Sequence, residues 1–71
     1  MNLLICVDNT GFEASLEARK LYQRLDDPHG EELGMVRVVD ESGEDYLHPA
    51  SLFQPIHVGE RLERRLFAQA A

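Results

Sequence analysis

Residues 35–53, Met-Val-Arg-Val-Val-Asp-Glu-Ser-Gly-Glu-Asp-Tyr-Leu-His-Pro-Ala-Ser-Leu-Phe, constrain this chain most, because they spell a β-hairpin that runs into a Pro-led single turn. Val36, Val38 and Val39 carry β-branched side chains suited to a pleated, half-buried surface, and Tyr46 and Leu47 answer them on the return strand. Between them, Asp40 can bond its own backbone two residues on. Gly43 can take the positive φ that closes a three-residue loop with a bulge. This places Asp40 opposite Glu44, Val38 opposite Tyr46 and Val36 opposite His48. A slip by one residue would exchange the two faces of the ribbon.

The remaining apolar pattern predicts short strands and one helix. Leu3 to Val7 reads as a first strand, broken by Asp8-Asn9-Thr10-Gly11. Residues 12–19 read as a structured loop with at most one helical turn. Lys20 to Leu25 is the second strand, followed by a polar connection from Asp26 to Gly34. The hairpin supplies strands three and four, Pro49 to Phe53 a 3₁₀-like turn, and Gln54 to Val58 a fifth strand opened by Pro55, which suits a sheet edge. From Gly59 onward, Leu62, Leu66 and Phe67 or Ala70 recur at helical spacing among charged residues. Both faces of the hairpin carry apolar side chains, so this helix is expected to cover one of them through Leu62 and Leu66.

This order resembles the Src-homology-3-like barrel over residues 3–58, with Pro49-Ala50-Ser51-Leu52-Phe53 similar to the turn that ends the fourth strand in signalling domains of that class. Val7-Asp8-Asn9-Thr10-Gly11, Asp40 to Leu47 and the Pro-Ala-Ser-x-Phe run further resemble a family of short bacterial single-domain barrels with no assigned chemistry. The expected fold is therefore mainly β: a small five-stranded SH3-like barrel over residues 1–58, with an amphipathic helix over 59–71 on or beside it. The chain departs from peptide-binding members in lacking Trp and a paired-tyrosine motif after the first strand, so a polyproline groove is not expected.

Composition narrows the function. At 71 residues the chain makes one domain with a small core, on which a large enzyme pocket is hard to build. The net charge of −6 is uneven, with 11 acids against 4 bases over residues 1–58 and 2 against 3 over residues 59–71. Such a body repels phosphate backbones and favours a basic protein partner. Nucleic acid and membrane are not expected partners. A single cysteine and the absence of a basic-then-apolar leader point to a reducing, cytoplasmic setting.

Each chemistry-bearing residue has a plain structural reading. Asp40, Glu41, Glu44 and Asp45 form an acidic hairpin tip read as a solvated turn, without the alternating spacing of a calcium loop. His29, His48 and His57 lack the short spacing of zinc ligands. His48 is expected to pack beside Val36 with its polar edge satisfied locally. Cys6, in an apolar strand, reads as a core filler. Ser15 and Ser51 have no triad, and Ser51 is expected to cap the 3₁₀ turn. Arg37 is expected to pair with Asp45.

No catalytic residue, metal or cofactor is therefore expected, and the chain reads as a non-catalytic protein-interaction or accessory module, monomeric or weakly dimeric. Its expected binding surface comprises Asn9, Phe12, Glu13, Tyr46, Pro49 and Phe53, an aromatic patch beside acidic loops. The alternatives are a structural or oligomeric subunit docking through the C-terminal helix, and a nucleic-acid-binding barrel.

Overall fold

The computed structural model describes residues 3–67. Its strands are β1 (Leu3–Cys6), β2 (Leu21–Leu25), β3 (Met35–Val39), β4 (Asp45–Pro49) and β5 (Phe53–Pro55), with helix α1 (Pro28–Glu32), a 3₁₀ turn (Ala50–Leu52) and helix α2 (Glu60–Phe67). All pairings are antiparallel, in the order β4-β3-β2-β1-β5. β2 serves two ladders: Leu21 to Gln23 pair with β1, whereas Arg24 and Leu25 pair with β3.

The expected closed barrel is replaced by an open five-stranded sheet with β4 and β5 at its edges. Those two strands meet through the 3₁₀ turn and not through a ladder. Both end on proline, at Pro49 and Pro55, which has no N–H to offer a neighbouring strand. β5 stops at Pro55, short of the Val58 expected from the sequence.

The hairpin has the expected register, with Val36 opposite His48, Arg37 opposite Leu47 and Val38 opposite Tyr46. Asp40 N–H donates to Glu44 O at 3.1 Å and Gly43 N–H to Asp40 O at 3.0 Å, while Gly43 takes φ +84°. A positive φ at that position is what a type I turn followed by a bulge requires.

The segment from Asp26 to Gly34 is not merely a polar connection. Pro28 to Glu32 form α1, capped by Asp27, whose Oδ1 accepts Gly30 N–H at 2.9 Å. Gly30 is buried, and a Cβ there would stand 2.6 Å from Leu47 Cδ2, so glycine is what lets α1 approach β4. α1 thus lies against the Leu47 face of the hairpin. The expected cover, Leu62 and Leu66 of α2, stays exposed at 49% and 43%. Glu63 and Phe67 are the half-buried residues of α2, so the face it turns inward is not its leucine stripe. Ala70 lies outside the described residues.

The inner face of the sheet gathers Leu4, Cys6, Tyr22, Val36, Val38, Leu52 and Phe53 into one core, joined by Leu16 from the β1–β2 loop and flanked by Phe12. Burying side chains of this size contributes roughly 1.5–3 kcal/mol each before the entropy cost of ordering the chain. No helix among the described residues is long and apolar enough to cross a membrane.

Candidate functional site

The open sheet leaves a cavity of about 440 Å³ at its mouth. Leu4, Val36 and Phe53 line it from the core, Met35, Ala50 and Pro55 add apolar surface, and Arg24, Glu31 and His57 supply its polar groups. Arg24 is committed: its guanidinium bonds Glu31 of α1 and, at 3.2 Å, Asp26. The lining is therefore an apolar socket with one internal ion pair and an exposed histidine, a shape suited to an inserted apolar side chain.

The residues expected to form a binding surface differ in their exposure. Asn9 is a loop tie, with Nδ2 donating to Leu16 O at 2.9 Å. Phe12 half-buries against the core. Glu13 is exposed and Oε1 accepts Gly11 N–H at 3.1 Å. Tyr46 is half-exposed on edge strand β4, and Pro49 is half-buried at its end. Phe53 is only 5% exposed and lines the socket. Of these residues Glu13 and Tyr46 are exposed, Asn9, Phe12 and Pro49 are half-buried, and Phe53 is buried.

The acidic tip is likewise not one solvated turn. Glu44 and Asp45 are exposed, and Asp45 takes Arg37 Nη1 at 3.1 Å, the expected pair. Arg37 Nε also donates to Asp27 at 2.9 Å, tying α1 to β3. Glu41 accepts from Lys20 Nζ and from Tyr22 Oη at 2.6 Å, and its N–H donates to Ser15 O at 2.9 Å. Burial, reinforced by Glu41, pushes the Tyr22 phenol up to about 12.

Asp40 is buried at 6% exposure. Its Oδ1 accepts Ser42 N–H at 2.9 Å and Ser42 Oγ–H at 2.5 Å, and Oδ2 lies 3.3 Å from His48 Nε2. Burial alone would raise this carboxyl, but the Ser42 and His48 bonds outweigh it and hold Asp40 below the usual carboxylate range.

His48 does stand opposite Val36, yet its polar edge is only half satisfied, since buried Nδ1 meets no hydrogen-bond partner. A polar residue pairing across a hairpin turn in the core was the signal that sequence reading missed. Cys6 is fully buried, and burial pushes its thiol up, as expected of a core filler. Ser51 is exposed, and the 3₁₀ turn has no side-chain cap, because its first residue follows Pro49 and Ala50 N–H is already bonded to Gly34 O. Among the described residues, no three His, Cys, Asp or Glu side chains gather as a metal site.

Neither a family model, a curated protein nor a solved structure matches this chain.

Proposed function

We propose that this chain is a non-catalytic docking module whose mouth socket takes an apolar side chain from a basic protein partner. The socket itself carries the reading: an apolar floor of Leu4, Val36 and Phe53, open to solvent, on a body with 11 acids to 4 bases over residues 1–58. Apolar anchors seated in pockets dominate binding energy, while complementary charge speeds encounter. We further propose that the sheet is a partly open relative of the SH3-like barrel. The support is β2 serving both ladders, followed by the hairpin and the Pro49-led 3₁₀ turn.

Ala50 is the test position, because it is exposed, lines the socket and lies outside the core. The whole chain, immobilised, should retain a basic protein from its source cells at about 0.05 M salt and release it by about 0.5 M, as the Debye length shrinks from roughly 14 to 4 Å. Ala50→Lys should abolish retention by placing a cation in the apolar mouth. Retention that ignores both salt and Ala50→Lys would sink the reading, as would low-micromolar binding of an RNA or DNA oligomer at physiological salt.

A further inference from the structure

The docking reading makes no use of a deeply enclosed polar group, His48. Its side chain is 5% exposed. Phe12 meets the ring edge-on at 5.4 Å between centroids, and Phe53 does so at 6.4 Å. An ionised carboxylate only accepts, so Nε2 carries the proton in the contact with Asp40 and Nδ1 holds a bare lone pair.

The groups around the ring leave Nδ1 without relief. Among the described residues, Asp40 is the one acid within 4.0 Å of the imidazole. β1, β2, β3 and β5 bring Cys6, Tyr22, Val36 and Phe53 to the shared core, and the β1–β2 loop brings Phe12. Burial raises the Cys6 thiol and the Tyr22 phenol, so neither supplies a negative charge. Glu41, next to Asp40, is engaged by Lys20 and Tyr22.

Phe12 is the half-buried part of this enclosure. Its loop is fastened to the hairpin turn by Glu41 N–H donating to Ser15 O. The turn is in turn shaped by Asp40, the partner of His48. One imidazole therefore sits where the loop, the turn and the core meet.

We propose that Asp40, His48 and Phe12 form a proton-operated latch: the neutral imidazole keeps the β1–β2 loop closed over the core, and a second proton, taken from water at Nδ1, releases it. Asp40 compensates the new charge through Nε2 but offers nothing to the Nδ1–H, which is left a buried donor on a desolvated cation. Moving Phe12 aside brings water to that donor. Cys6 N–H donating to Lys20 O at 2.9 Å and Arg19 N–H donating to Cys6 O at 2.7 Å hold the end of the loop to β1, so the sheet persists while the part carrying Phe12 lifts and the core near Cys6 opens.

Cys6, the only cysteine, reports the opening. Its alkylation rate in the native chain at pH 7.5 and 5.5, each divided by the rate in the urea-unfolded chain at the same pH, gives its protection. Protection should fall at least roughly tenfold at pH 5.5 with far-ultraviolet circular dichroism unchanged, as local opening without global unfolding requires. It should stay constant in His48→Phe, or in His48→Gln if the first variant does not fold. Equal protection at both pH values in the native chain overturns the latch, and so does a pH-dependent loss that survives in either folded variant. If neither variant folds, ring-proton NMR of the native chain decides. Phe12 and His48 resonances moving together with pH support the latch, and fixed Phe12 resonances while His48 titrates overturn it.

Discussion

Replacing Asp40 by Ala tests whether this buried carboxylate holds the hairpin turn onto the core. The two Ser42 bonds it accepts are near the surface, where water replaces them, so losing them costs about 1 kcal/mol. The 3.3 Å contact with His48 Nε2 is buried. Its loss strands a donor in the core at about 1–3 kcal/mol. Together these come to about 3 kcal/mol, most of the ~3–5 kcal/mol that a core of this size supplies, and lower Tm by on the order of 10–20 °C. Asp40→Asn keeps an oxygen for Ser42 and should cost about half as much.

Thermal and urea melts of Asp40→Ala in the native and the His48→Phe backgrounds separate the two contributions. Without an imidazole to strand, the cost should shrink to about 1 kcal/mol, a coupling of about 2 kcal/mol. Equal costs in both backgrounds would refute the account. The pH profile gives a second check. Asp40 is held below its unfolded value of about 3.9, so its contribution is full above about pH 4 and is lost as pH falls through the folded value. Asp40→Asn should remove that share of acid sensitivity.

Further outcomes are expected elsewhere in the chain. Gly43→Val should lower stability by more than about 1 kcal/mol in chemical denaturation, since φ is +84° and no neighbour stands within 4 Å of a Cβ there, so the cost is purely backbone. Arg19 holds φ +67°, so Arg19→Gly should raise stability by about 1 kcal/mol, and an unchanged midpoint would contradict the strain. Leu62→Lys with Leu66→Lys should leave the urea midpoint within about 0.5 kcal/mol, because both side chains are already half-exposed. Ultraviolet titration should show Tyr22 ionising near about 12 in the folded chain, so that its contribution is full below about pH 10 and lost towards 12. Tyr22→Phe should abolish that step.

The sequence by itself determined the local structure of this protein, above all the hairpin. Alternating β-branched residues and a turn with Asp first and Gly at its close leave one register, the one that sets Val38 against Tyr46. Cys6 in an apolar strand, and Arg37 reaching diagonally to Asp45 across the hairpin, follow from the same short-range geometry. Helix α1 was half legible, as Asp27-Pro28 is a start signal. Five residues without apolar periodicity, with glycine inside, conceal it, and the close approach of Gly30 to Leu47 is a tertiary contact that local pattern does not show. Leu16, alone among polar neighbours, gave no sign of being fully buried, because a loop residue reaches the core through long-range folding and not through periodicity.

Tertiary structure also decided what the candidate site is. It left the sheet open so that Leu4, Val36 and Phe53 floor a socket, and it turned the leucines of α2 to solvent. It drew Asp40 out of an acidic tip and under the loop to meet His48. Charge on a turn is legible from composition. Which of several adjacent carboxylates loses its water depends on what the rest of the chain places over it.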